Sequence, residues 1–214
     1  LTEKADDIDF PELLNQLGMP VEDWFKPGTW ERLRPYMGLD ACFETCEFSG
    51  NEAAIAGGGA VDFLGSATKY EDCGFWGNIA SFGGGVLAAV VCTCDLRQCF
   101  FSGNQAHFNG GALHGYWEDT LVLTHCTIAF NRGYDYGGGI HLQSSSKAYL
   151  TNCILWGNSA PRGPQVAGFP SSNVSFQAQG SNIQGGAADI YLDSQSTVEY
   201  DPTNIDADPL FLDV

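Results

Sequence analysis

Cysteine recurs along this chain at Cys46, Cys73, Cys99, Cys126 and Cys153, at intervals of 27, 26, 27 and 27 residues. Five residues after each cysteine stands an asparagine: Asn51, Asn78, Asn104, Asn131 and Asn158. The position three before each cysteine reads Phe43, Tyr70, Leu96, Leu123 and Leu150, and the position two after reads Phe48, Phe75, Phe101, Ile128 and Leu155. Between each asparagine and the next cysteine lies a glycine cluster closed by a small or branched residue, as in Gly83-Gly-Gly-Val86 and Gly137-Gly-Gly-Ile140. Self-similarity at a fixed period is the mark of a repeat architecture. Each unit alternates short extended runs with glycine or asparagine corners, and none carries a 3.6-residue apolar period.

A unit of this length is too short for a propeller blade and lacks the helix of the common helical solenoids. It fits one coil of a parallel β-helix, in which coils stack at about the 4.8 Å strand spacing and equivalent residues form ladders along the rod. The expected division is a non-repeating arm over 1–40 and an all-β parallel β-helix over 41–214. The pairing of Phe-x-x-Asn (Phe48 to Asn51, Phe75 to Asn78, Phe101 to Asn104) with Gly-Gly-Ala/Val/Ile resembles the repeat of chlamydial polymorphic outer membrane proteins. The segments 150–158, 181–186 and 205–211 resemble the closing coils of large secreted bacterial right-handed β-helix proteins. The resemblance implies a right-handed coil over roughly 41–214. For function it implies only a choice among adhesins, surface scaffolds and polysaccharide-active enzymes.

Charge narrows the partners. With 26 acidic against 9 basic side chains the formal charge is -17, and so few Lys and Arg cannot form the stripe that phosphate backbones require. At 44% hydrophobic and 13% aromatic the chain can bury a core. No apolar run reaches the length of a membrane-spanning helix. The chain opens on Leu1, without the basic and apolar regions of a signal peptide, so it reads as a processed or partial form. The cysteine count and the sequon Asn173-Val-Ser175 favour a secreted, periplasmic or cell-surface location.

Each column has an expected role. The cysteines share strand parity with apolar columns, so they form an inward ladder of free thiols acting as small hydrophobes. Cys42, Cys92 and Cys94 stand outside the column and are better placed for a disulfide. Cys92-Thr-Cys94 with Cys99 lacks zinc-knuckle spacing. The asparagines sit at corners and hydrogen-bond the backbone of the next coil. The glycines mark corners of positive φ or close approach, with no phosphate-loop context.

Acid–base chemistry needs convergent ionisable groups. Lys69, Arg97, Arg132 and Lys147 occupy different places in their coils. His114 and His141 flank glycine clusters of neighbouring coils near Asp135, and those three are the candidates for a small acid–base or metal site, against an ordinary structural role. Asp201, Asp206 and Asp208 are weak candidates for Ca²⁺, against turn-capping aspartates; no other cofactor is implied. After the glycines both strand parities are partly apolar, with Val61, Leu87 and Leu113 in one column. This flank therefore offers an apolar stripe to a partner or lies covered.

In the arm, Asp9 to Gly18 reads as a short helix and Thr29 to Tyr36 as a second. The arm either plugs the open end of the solenoid or docks another subunit through Trp24, Phe25 and Trp30. The expected function is a non-catalytic extracellular or surface component of a larger assembly, structural or adhesion-like, with a protein partner. The alternatives are a carbohydrate-active β-helix enzyme (polysaccharide lyase or glycoside hydrolase) and a glycan-binding module stacking sugars on Trp76, Trp117 and Trp156.

Overall fold

The computed structural model describes residues 41–211 apart from 54–60, 65–66, 82 and 91. The arm over 1–40, with its two expected helices and Trp24, Phe25 and Trp30, lies outside the described residues. The described chain forms four sheets, three of them continuing past residue 150, and every strand pairing in them is parallel. Sheet I takes Ala41–Glu44, Ala67–Glu71, Thr93–Arg97, Thr120–Thr124, Lys147–Thr151, Ser175–Gln179 and Thr197–Tyr200. Sheet II takes Glu47–Ser49, Gly74–Trp76, Phe100–Ser102, Thr127–Ala129, Ile154–Trp156 and Asn182–Ile183. Sheet III holds four two-residue strands, from Glu52–Ala53 to Arg132–Gly133. Sheet IV takes Val61–Leu64, Leu87–Val90, Leu113–Trp117, Ile140–Leu142, Val166–Gly168 and Ile190–Tyr191. A chain that visits sheets I, II, III and IV in turn and then returns beside its starting strand is a parallel β-helix.

The repeat sets this register directly. Phe48, Phe75 and Phe101 are Cα partners across sheet II, as are Tyr70, Leu96, Leu123 and Leu150 across sheet I. Identical spacing stacks like on like: Phe48 on Phe75 and Phe75 on Phe101 have ring centroids 4.9 and 4.7 Å apart and nearly parallel ring planes. Phe43 stacks on Tyr70 at 4.9 Å. The core is this interior, filled by one apolar side chain per column per coil.

Sheets I and II meet at a tight corner whose first residue is left-handed in successive coils, namely Thr45, Asp72, Gln98, His125 and Asn152, with φ of 51 to 55°. The cysteines follow this corner. All eight are free, and Cys73, Cys99, Cys126 and Cys153 are buried. Each buried thiol donates to two carbonyls, one in its own coil and one in the coil before, as Cys99 Sγ does to Arg97 (3.2 Å) and Tyr70 (3.6 Å). The thiol therefore fills a small apolar site while helping to satisfy the corner's carbonyls. Among the three outlying cysteines, Cys42 is exposed and pairs in register with Lys69, whereas Cys94 is buried and accepts from Thr68 Oγ1 at 3.4 Å. They lie on different faces, which separates them as disulfide partners.

The chain keeps coiling after the cysteine column ends. Ser181 takes the next place, its hydroxyl accepting from Cys153 N (3.1 Å) and donating to the Gln179 carbonyl (3.1 Å). At the glycine clusters successive coils approach too closely for a side chain. A Cβ at Gly111 would lie 2.1 Å from the Gly138 carbonyl oxygen, and one at Gly85 would lie 2.2 Å from that of Gly111. Close approach fixes these two glycines, whose φ is ordinary.

Candidate functional site

The asparagine column forms a continuous amide ladder. Asn51, Asn78, Asn104 and Asn131 each donate through both backbone N–H and side-chain Nδ2 to Oδ1 of the next asparagine, at 2.9 to 3.0 Å. The same Nδ2 groups of Asn78, Asn104 and Asn131 also donate back to the carbonyls of Phe48, Phe75 and Phe101. Gln165 Oε1 closes the ladder by accepting from Asn158 Nδ2 at 2.8 Å. The Nδ2 groups of Asn78, Asn104, Asn131 and Asn158 each donate at least twice within the protein, so this edge is scaffold.

Sheet IV differs. Leu113, Ile140 and Val166 are Cα partners and wholly buried, so Leu113 packs the interior and is not part of an exposed contact stripe. Val61 and Leu87 share its register. The opposite parity places His114 opposite His141, with ring centroids 4.7 Å apart, and these too are closed off, at 1% and 0% exposure. Tyr136 lies 5.7 Å from the His141 ring and is flanked by Phe169 and Tyr191, while Tyr116 meets His114 edge-on. The flank is covered from within the chain by aromatic side chains.

His114 Nε2 and both ring nitrogens of His141 have no hydrogen-bond partner. Burial holds the His114 imidazole down at about 4, with Gln143 pulling weakly the other way, and holds His141 well below its ordinary range with help from the His114 charge. Both rings are neutral near pH 7. Asp135 does not join them. Its half-exposed carboxylate pairs with Arg162, whose guanidinium lies 4.7 Å from the Tyr136 ring centroid. The buried carboxyl near this sheet is Asp119, which accepts from the backbone N–H groups of Cys92 (2.7 Å), Tyr116 (2.7 Å) and Trp117 (3.3 Å). Burial pushes its carboxyl up to about 7 against the pull of those three donors. As placed, the three sequence candidates comprise two dry neutral imidazoles and one surface ion pair.

The remaining candidates are at the surface. Asp201 Oδ1 accepts from Thr203 N at 2.8 Å, and Asp208 Oδ1 from Leu210 N at 2.9 Å, so both cap turns. Among the described residues no group of three His, Cys, Asp or Glu side chains is arranged to hold a metal ion. Open clefts mark the outside of the rod, of which two bear on the candidates. One, of about 420 Å³, runs over the outer face of sheet I between Tyr149, Gln177 and Glu199, which are in register, and Thr151, Gln179 and Asp201. The other, of about 320 Å³, sits at the corner of sheets I and II beside Trp76. Trp76 was legible as an exposed platform, whereas the cleft beside it was not, because it depends on corner residues one coil apart.

The described residues contain no helix long and apolar enough to cross a membrane. Neither a curated protein nor a solved structure matches the chain. A family model described as a right handed beta helix region matches residues 37–175. With the coils and ladders this covers, the chain belongs to the right-handed β-helix family.

Proposed function

We propose that this protein is a non-catalytic β-helix of the extracellular space or cell surface, serving as a structural or adhesion-type component of a larger assembly that contacts a protein partner. The observation that carries this reading is the contrast between His114 and His141, dry and neutral beneath an aromatic cover, and the large apolar side chains left on the outside, among them Trp76, Phe130, Tyr134 and Tyr191. The stacked coils carry those rings on a continuously hydrogen-bonded backbone, which reduces the backbone ordering that binding would cost. A second reading, a glycan-active or glycan-binding surface, draws support from the sheet I cleft, where Tyr149, Gln177 and Glu199 combine an aromatic ring, an amide and a carboxylate.

Incubation with a panel of acidic and neutral polysaccharides separates the two. The expected result is no new unsaturated or reducing end. Cleavage that disappears in His114→Ala or Glu199→Gln would overturn the non-catalytic reading.

A further inference from the structure

The corner cleft beside Trp76 is built by a local exception to the repeat. Glu47, Gly74 and Phe100 are Cα partners across sheet II, and the column continues with Thr127 and Ile154, so Gly74 is the lone glycine among these five. A Cβ there would lie 2.5 Å from Trp76 Nε1. Glycine is thus what lets the indole lie across the strand, where Phe100 stacks on it with ring centroids 4.6 Å apart and the ring remains 41% exposed. Around it stand the exposed carboxylates of Glu47 and Asp72. Neither carboxylate takes part in an ion pair among the described residues. The nearby cations are committed elsewhere, Lys69 to Glu71 and Arg97 to Asp95. Gln98, the one amide lining the cleft, already donates its Nε2 to Asp72 Oδ1 at 2.6 Å.

The same molecule shows what fills such a place. Arg162 lies over the ring of Tyr136 while pairing with Asp135, and Arg132 lies 4.3 Å from the ring centroid of Tyr134. We infer that the Trp76 cleft receives an arginine side chain of a partner protein, its guanidinium stacked on the indole and held by the carboxylates of Glu47 and Asp72. A planar guanidinium can do both at once, which a lysine ammonium does less well. A neutral sugar could donate hydroxyls to the carboxylates but would leave their charge uncompensated, and it would find the Gln98 amide occupied. The inference deepens the proposed partner-binding role and rests on it by giving the partner's contacting side chain a chemistry.

The test titrates N-acetyl-argininamide into the full chain and follows the Trp76 indole N–H and the backbone amides of Asp72 and Gln98 by NMR, with the uncharged isostere N-acetyl-citrullinamide as control. Saturable shifts with the arginine compound alone are expected. Glu47→Gln with Asp72→Asn should weaken binding about fivefold and flatten its salt dependence, and Trp76→Ala should weaken it about three- to fivefold. Gly74→Ala moves only the far end of a flexible ring, so it should leave the thermal midpoint nearly unchanged while weakening binding by no more than Trp76→Ala does. Equal shifts with citrullinamide, no shift with either compound, or shifts with a neutral oligosaccharide instead would each overturn the inference. None of these outcomes bears on polysaccharide cleavage, so this inference and the non-catalytic reading fail separately.

Discussion

The asparagine edge and the histidine flank lie on the same coils and obey opposite rules. At Asn51, Asn78, Asn104, Asn131 and Asn158 one residue type repeats, and the amides of Asn78, Asn104 and Asn131 find donor and acceptor in the neighbouring coils. On the outer parity of sheet IV the column reads Asp62, Ala88, His114, His141, Ala167 and Tyr191. There two imidazoles meet and leave three ring nitrogens unsatisfied. Repetition satisfies polar groups because the translation that makes a donor also makes its acceptor one coil on. A column that changes identity must be covered by something else, and here aromatic side chains from other positions do so.

The largest effect should come from breaking the repeating edge. Asn104→Ala removes the acceptor for Asn78 N–H and Nδ2 and the donor to the Phe75 carbonyl, all within the buried ladder. Unsatisfied buried groups of this kind cost about 1–3 kcal/mol each, so a loss of about 3 kcal/mol or more in urea unfolding is expected. A loss below about 1 kcal/mol would mean the ladder is decoration on a fold held by its core.

Acid should strike the other flank. The folded pKa of His114 lies near 4 against about 6.5 unfolded, so its contribution is complete above 6.5 and is lost as pH falls towards 4. Between pH 6.5 and 5 this predicts a loss of about 1.5 kcal/mol from His114 alone, with His141 acting in the same direction. Asp119, whose carboxyl burial pushes up to about 7, acts in the opposite direction over this window. The double change His114→Leu with His141→Phe should therefore make the chain gain stability between pH 6.5 and 5 relative to the unmutated one. An unchanged profile would place the sensitivity elsewhere.

A smaller effect sharpens the account of the thiols. Cys126 Sγ donates to the Leu96 carbonyl at 3.3 Å and to the Thr124 carbonyl at 3.5 Å. Cys126→Ser should therefore be tolerated within about 1 kcal/mol, because Ser181 already fills the equivalent place through its hydroxyl, and it should be milder than Cys126→Val, which has no donor and adds volume. The smallest effect belongs to Arg162→Ala. Its ion pair and ring contact are half-exposed, so about 0.5 kcal/mol is expected from thermal unfolding.

The cysteine and asparagine columns made the coil, its register and its inward parity legible, since a strict period admits few folds. The expected bond from each asparagine side chain to the backbone of the next coil is made instead to the coil before, as Asn78 Nδ2 does to the Phe48 carbonyl, while asparagine joins asparagine along the column. What stayed hidden were features that no column carries. The cover over His114 and His141 comes chiefly from Tyr116 and Tyr136, with Phe169 and Tyr191 packed on Tyr136, and of these only Tyr191 stands in the histidines' own column. The seventh strand of sheet I, Thr197–Tyr200, was obscured because the coil leading to it shortens to an interval of 22 residues, from Ser175 to Thr197, and carries no cysteine. The Trp76 cleft depends on Gly74, one glycine among 27, which stands out only once Phe100 and Glu47 are seen beside it.

The amide ladder also has a direction. Every link runs from the donor of one coil to the acceptor of the following coil, and Gln165 supplies the last acceptor. A tandem copy of one coil inserted between Asn104 and Asn131 would bring one new acceptor for the coil before it and one new donor for the coil after it, leaving no polar group stranded. A fraction of a coil would strand several. Length in this molecule is therefore an integer variable, free to change by whole turns and by little else.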